Sequence, residues 1–154
     1  MHKNEILTLL HHRDPYLLID EVISIDESHI TCKKRLTGDE YFFRGHFPGA
    51  PILPGAMMQE MTTQSAGVLI TKFYSPVDNY DSNKTKGHAL GVLKKINYAK
   101  YKGFAKPGDI LRIEVILNER IENLFSFKAS IFSGDKVIMS NSFLLTNIED
   151  KHIM

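Results

Sequence analysis

Two side chains near the middle of this sequence are of types suited to moving protons near neutral pH. His46 lies in Arg44-Gly45-His46-Phe47-Pro48-Gly49, flanked by glycines and aromatic residues. Glu60 stands early in a run, residues 56–73, that has no proline and is otherwise largely apolar. Histidine is the side chain whose unperturbed pKa suits proton abstraction at that pH. A glutamate carried into apolar surroundings loses hydration, and burial raises its pKa toward a range where it can donate a proton. Each residue alone has an ordinary explanation: a loop histidine is common, and a helix glutamate is usually surface-facing or hydrogen-bonded. Together they form a candidate base and acid.

The elements that must hold this pair can be outlined from pattern. Residues 38–55, GDEYFFRGHFPGAPILPG, contain four glycines and three prolines, which rules out a regular element. The stretch is also rich in aromatic and aliphatic residues, so it reads as a structured, partly buried loop of the kind that carries function. A helix is expected over 56–73, with Pro54 just ahead of it, where helix entry tolerates proline. Its apolar positions do not keep to one stripe, the mark of a buried helix. Gln59, Thr62, Thr63 and Gln64 on it then need partners.

Upstream, Asn4 is placed to cap a short helix running to Leu10, and Glu5 falls in its first turn. Strands are expected at 17–25 and 29–36, joined by a turn at Asp26-Glu27-Ser28. Downstream, 74–87 reads as a polar loop. Strands are expected at 88–98, 109–119, 124–132 and 136–146, with turns at Lys106-Pro107-Gly108-Asp109 and Ser133-Gly134-Asp135. The order implies an α+β domain, one antiparallel sheet curled around one long helix.

Residues 45–67, GHFPGAPILPGAMMQEMTTQSAG, resemble the signature of the 3-hydroxyacyl-[acyl-carrier-protein] dehydratases of the FabZ type. That family shows GHFPG-x-P-I-x-PG, followed by a helix bearing a glutamate and, four residues later, a glutamine. Gly45, His46, Phe47, Pro48, Gly49, Pro51, Ile52, Pro54 and Gly55 match, and Glu60 and Gln64 fall at that spacing. His12-Arg13-Asp14-Pro15-Tyr16-Leu17-Leu18-Ile19-Asp20 is similar to the family's HRYPFLLVD stretch, with Asp14 departing where an aromatic residue is common. Pro107-Gly108-Asp109 matches a PGD turn before a strand.

The resemblance implies a hot-dog fold that removes water from a 3-hydroxyacyl chain carried by acyl carrier protein. It implies a homodimer or a trimer of dimers, with His46 of one subunit working beside Glu60 of the other and no metal or organic cofactor. In such a reaction His46 suits removal of the α proton and Glu60 protonation of the leaving β-hydroxyl. The Gly55 N–H at the helix start suits the charge building on the thioester oxygen. Gln64, one turn after Glu60, is placed to orient its carboxylate. Phe47 and Met57, with Phe42, Phe43, Met58 and Met61, are candidates to line an acyl tunnel, although each singly also reads as core. Lys94, Lys95, Lys100, Lys102 and Lys106 form either a basic rim for an acidic carrier protein or a solvated strand face.

Composition bounds the alternatives. The chain has 154 residues, of which 43% are hydrophobic and 24% charged, which fits one globular domain spanning 1–154. A net charge of +1 gives no bulk attraction to nucleic acid. The single cysteine, Cys32, excludes an internal disulfide and reads as a small strand residue. No signal-peptide-like stretch or run of about 18 apolar residues is present, so a cytoplasmic protein without membrane association is expected. His11 and His12 are adjacent and therefore point apart, and no metal-ligand spacing is seen. A hot-dog thioesterase remains as a competing enzyme, and a non-catalytic acyl- or carrier-binding module as a competing class. The GHFPG loop disfavours the first, and the presence of both His46 and Glu60 disfavours the second.

Overall fold

The computed structural model describes residues 1–85 and 90–153. The chain runs α1 (Lys3–Leu9), β1 (Glu21–Ile25), β2 (His29–Arg35), a 3-10 turn at Tyr41–Phe43, α2 (Gly55–Tyr74), β3 (Leu90–Tyr101), β4 (Ile110–Ile121), β5 (Leu124–Ser133) and β6 (Lys136–Ile148), and ends in a 3-10 turn at Asp150–His152. The six strands make one antiparallel sheet in the order β1-β2-β4-β5-β6-β3. This is the α+β arrangement expected, a sheet wrapped around one long helix.

Alternation drives the curl. Leu111, Ile113 and Val115 of β4, Phe125, Phe127 and Ile131 of β5, and Met139, Phe143 and Leu145 of β6 all turn inward and are almost wholly buried. They meet Met58, Met61, Val68, Leu69 and Ile70 of α2, which are equally buried. Burying each such side chain contributes about 1.5–3 kcal/mol. The polar turns close the hairpins. Asp26 accepts from the Ser28 N–H at 2.8 Å between β1 and β2. Gly108, at φ 96°, supplies the left-handed step of the Pro-Gly-Asp turn before β4.

Several boundaries differ from expectation, each for a tertiary reason. The first helix starts at Lys3, and His2 rather than Asn4 occupies its cap position, with no side-chain cap bond. Met1 is tied into the sheet margin by paired bonds with Val22 (3.0 and 2.9 Å), which fixes where the helix begins. The strand expected over 17–25 begins only at Glu21. Leu17, Leu18 and Ile19 instead plunge into the core, and the Leu18 N–H bonds a helix side chain, Gln64 Oε1, at 2.8 Å. The expected strand 88–98 continues to Tyr101, while residues 88 and 89 lie outside the described residues, as do 86 and 87 of the expected 74–87 loop. The described part of that loop docks on the N-terminal region: the Ser82 N–H donates to the Thr8 carbonyl (2.7 Å), and Arg13 donates to Ser82 Oγ (3.0 Å) and Asn83 Oδ1 (3.2 Å).

Candidate active site

Helix α2 buries polar side chains beside its apolar ones. Asn141, wholly buried on β6, donates to Gln59 Oε1 (2.7 Å) and Thr62 Oγ1 (2.9 Å), and Gln59 donates to Thr63 Oγ1 (3.2 Å). These contacts supply the partners that Gln59, Thr62 and Thr63 required. Gln64, also wholly buried, is a clamp. Its Oε1 accepts from the Leu18 N–H, and its Nε2 donates to the Tyr16 carbonyl (2.8 Å) and to Glu60 Oε1 (3.1 Å). One side chain thus fastens the 16–18 segment to α2 and holds the Glu60 carboxyl.

Glu60 is mostly enclosed, its side chain 18% exposed. Desolvation pushes its carboxyl above the usual glutamate range. The Gln64 amide and the Tyr16 hydroxyl, which both favour the ionised form, act against that shift without cancelling it. His12 Nε2 faces Oε1 at 3.7 Å, and the imidazole stacks on Tyr16 with centroids 6.1 Å apart.

His46 is partly buried in the glycine-rich loop after the 3-10 turn. Its Nδ1 lies 2.8 Å from the Ile52 carbonyl oxygen. A carbonyl only accepts, so Nδ1 carries a proton, and in the neutral imidazole that tautomer leaves the Nε2 lone pair free. Next to it Phe47 adopts φ 57°, a left-handed conformation that side-chain-bearing residues rarely take. The Phe47 ring is 58% exposed and lies 4.4 Å, centroid to centroid, from the imidazole. Gly49, at φ 90°, completes the reversal.

Gly55 is the first residue of α2, with Pro54 at the cap. The N–H groups of Gly55 and Ala56 have no carbonyl one turn back within the helix, whereas Met57 and Met58 donate to the Pro54 carbonyl. A Cβ at Gly55 would sit 2.9 Å from Tyr101 Cε1, and the Tyr101 hydroxyl donates to the Gly55 carbonyl at 3.0 Å. Glycine therefore lets Tyr101 lie across the helix start. Met57 is partly accessible and accepts from the Tyr41 hydroxyl at 3.5 Å, whereas Phe42, Phe43, Met58 and Met61 belong to the core.

The structure thus joins Glu60 to Gln64 and adds His12 and Tyr16, two residues that composition and spacing did not single out. Their only signal was the His12–Asp20 stretch of the family resemblance, which carried no role for them. Among the described residues, no hydrogen bond or ion pair within the chain joins His46 to Glu60. The lysines at 94, 95, 100, 102 and 106 are all exposed. Cys32 is buried and its thiol is pushed up to about 12, so it takes no part.

A family model described as a FabA-like domain matches residues 10–142. The 3-hydroxyacyl-[acyl-carrier-protein] dehydratase FabZ of Legionella pneumophila (strain Lens) is 35% identical over 149 residues, covering 96% of this chain and 95% of that protein. The chain belongs to this family. The FabZ dehydratase of Levilactobacillus brevis is 34% identical over 152 residues, with 96% and 95% covered. That of Chlamydia pneumoniae is 44% identical over 112 residues, with 71% and 68% covered. Among solved structures, the dehydratase heterocomplex ApeI:P from Xenorhabdus doucetiae aligns with TM-score 0.79 at 22% identity, covering 96% of this chain and 93% of that one. A hypothetical thioesterase with coenzyme A from Streptococcus pneumoniae TIGR4 aligns with TM-score 0.63 at 11% identity, with 84% and 85% covered. Both share the hot-dog fold with the family. No helix among the described residues is long and apolar enough to cross a membrane.

Proposed function

We infer that the chain dehydrates 3-hydroxyacyl thioesters in fatty acid or related acyl-chain biosynthesis, the reaction named for its family, and that His46 and Glu60 carry the two proton transfers. The observation that supports these roles best is the opposite preparation of the two groups. The Ile52 carbonyl fixes the His46 tautomer with Nε2 unprotonated, as a base requires. Desolvation keeps Glu60 disposed to hold a proton, as an acid requires. His46 Nε2 takes the α proton. The electrons move into the thioester, and the Gly55 N–H stabilises the charge on its oxygen. As the enolate collapses, the Cα–Cβ double bond forms, the Cβ–O bond breaks, and Glu60 protonates the departing hydroxyl. Water and a trans-2-enoyl thioester result. The proton left on His46 then returns to Glu60 by way of that water or solvent. Each proton transfer supplies roughly 10²–10⁴-fold.

The pair is completed between two copies of the chain. β3 is an edge strand, and Leu93, Ile96, Tyr98 and Tyr101 along it are 39–50% exposed. Lys94, Lys95 and Lys100 share this strand with those apolar side chains, and its unpaired backbone edge is open to side-by-side pairing with a second β3. His46 of one subunit then meets Glu60 of its partner, and Phe47 and Met57 border the acyl path. The substrate arrives on acyl carrier protein, an acidic partner suited to the exposed lysines between Lys94 and Lys106.

Subunit mixing tests the shared site. His46→Ala and Glu60→Gln should each be inactive alone, and exchange of their subunits should restore part of the activity. Continued inactivity after confirmed exchange would contradict it.

A further inference from the structure

His12 has no part in the proton transfers, yet it closes one side of the Glu60 carboxyl. Its Nε2 points at the same oxygen, Oε1, that Gln64 holds. At 3.7 Å this is polar packing rather than a formed hydrogen bond. Its ring is backed by Tyr16. Its Nδ1 is buried without a partner among the described residues. The segment carrying it is braced from both sides. Arg13 donates to the Leu10 and His12 carbonyls and to Ser82 and Asn83 of the docked loop, and Gln64 grips Tyr16 and Leu18. His12 is therefore held where it stands rather than swinging through the pocket.

We propose that His12 is a positioning residue for the general acid: a neutral imidazole that confines Glu60 Oε1 and leaves Oε2 as the oxygen that carries the transferable proton. This rests on the assignment of Glu60 as the acid. Neutrality is part of the role. A protonated His12 would need an acceptor for its buried Nδ1–H, and none is present among the described residues. Burial first, then the charges of His11 and Arg13, also hold His12 below the usual histidine range. The other groups at this corner are Tyr16, whose hydroxyl also bonds the Glu60 carboxyl, and Tyr41, with Gln64 on the helix itself. A cation at position 12 would instead favour the Glu60 carboxylate and discharge the acid.

The test compares His12→Phe, His12→Gln and His12→Lys in the full chain, with Glu60→Gln as reference. Turnover of a 3-hydroxyacyl pantetheine thioester is followed across pH, and thermal unfolding is followed in parallel. The Phe variant keeps the stacking on Tyr16 but loses the nitrogen. Its kcat should fall about tenfold or more with KM within about twofold, because small misplacements of a reacting group cost up to roughly 10²-fold. The Gln variant should recover most of that loss. The Lys variant should move the alkaline limb of the kcat profile to lower pH, since an acid whose pKa is lowered gives up its proton sooner. A Phe variant within about twofold of the wild-type kcat, or an unmoved alkaline limb in the Lys variant, would overturn the proposal. So would equal losses in all three variants that track a fall in folded fraction, the result of a purely structural role. An active Glu60→Gln protein would instead bring down the assignment of the acid, and the role of His12 with it; an inactive one leaves His12 to be judged by its own variants.

Discussion

Replacing Gln64 with leucine removes three hydrogen bonds while nearly preserving volume. The Leu18 N–H and the Tyr16 carbonyl lose their partners, and Glu60 loses its amide donor. Gln64 is wholly buried, so water cannot reach the site cheaply. A buried group left unpaired costs about 1–3 kcal/mol. The Leu18 donor is enclosed and bears the full penalty, whereas the Tyr16 carbonyl lies nearer the surface and bears less. The loss should be about 3 kcal/mol. In a domain of this size that corresponds to a fall in Tm of about 6–12 °C. Activity should fall further than the folded fraction, because the carboxyl and the His12–Leu18 segment lose their common anchor. Gln64→Glu is the informative contrast. It keeps an acceptor for Leu18 but brings a second carboxyl against Glu60. The assay is thermal unfolding by circular dichroism alongside turnover at a temperature where every variant is folded. A Leu variant melting within about 2 °C of wild type would refute the reasoning, because the buried Leu18 N–H would then have found another acceptor at no cost.

Glu60→Gln should raise Tm at neutral pH. The folded-state pKa of Glu60 is raised, so the stability it contributes is present at acid pH and lost as pH rises through that pKa; the gain from glutamine should therefore fade on acidification, and a gain that grows toward acid pH would have the wrong sign. Gly55→Val keeps the backbone N–H but should drive Tyr101 off the start of α2 and shift that N–H, measured as a kcat reduced by up to roughly 10²-fold, and unchanged turnover would show that the placement of the helix start is not used. Reversing Lys100 and Lys102 to glutamate should slow turnover of carrier-linked substrate in a salt-dependent way while sparing a pantetheine thioester, and equal effects on both substrates would remove the basic rim from the account.

The long helix, the irregular loop and the antiparallel hairpins were legible because each rests on a local rule: absence of proline, glycine and proline density, alternation and turn chemistry. The start of β1 was not. Leu17, Leu18 and Ile19 have strand-like composition, but the Leu17 N–H turns back to the Arg13 carbonyl and the Leu18 N–H bonds a glutamine side chain 46 residues away, which no local pattern encodes. Asn4 lost the cap position for a similar reason, since Met1 is tied to Val22 across the chain. At the site, Gln64 was readable from its spacing to Glu60. His12 was not, because one histidine beside another carries no information until the fold turns them to opposite sides, His11 toward Tyr80 and His12 toward Glu60. The polar face of α2 looked anomalous until Asn141 of β6 met it.

The most direct measurement supplies the purified protein with 3-hydroxyacyl thioesters on acyl carrier protein and on pantetheine, and follows both enoyl formation and release of free thiol. The account predicts enoyl thioester with no thiol release, lost in His46→Ala and in Glu60→Gln. Free thiol without enoyl product would mean that the same fold hydrolyses thioesters, and binding without either product would mean a module that carries acyl chains and does no chemistry.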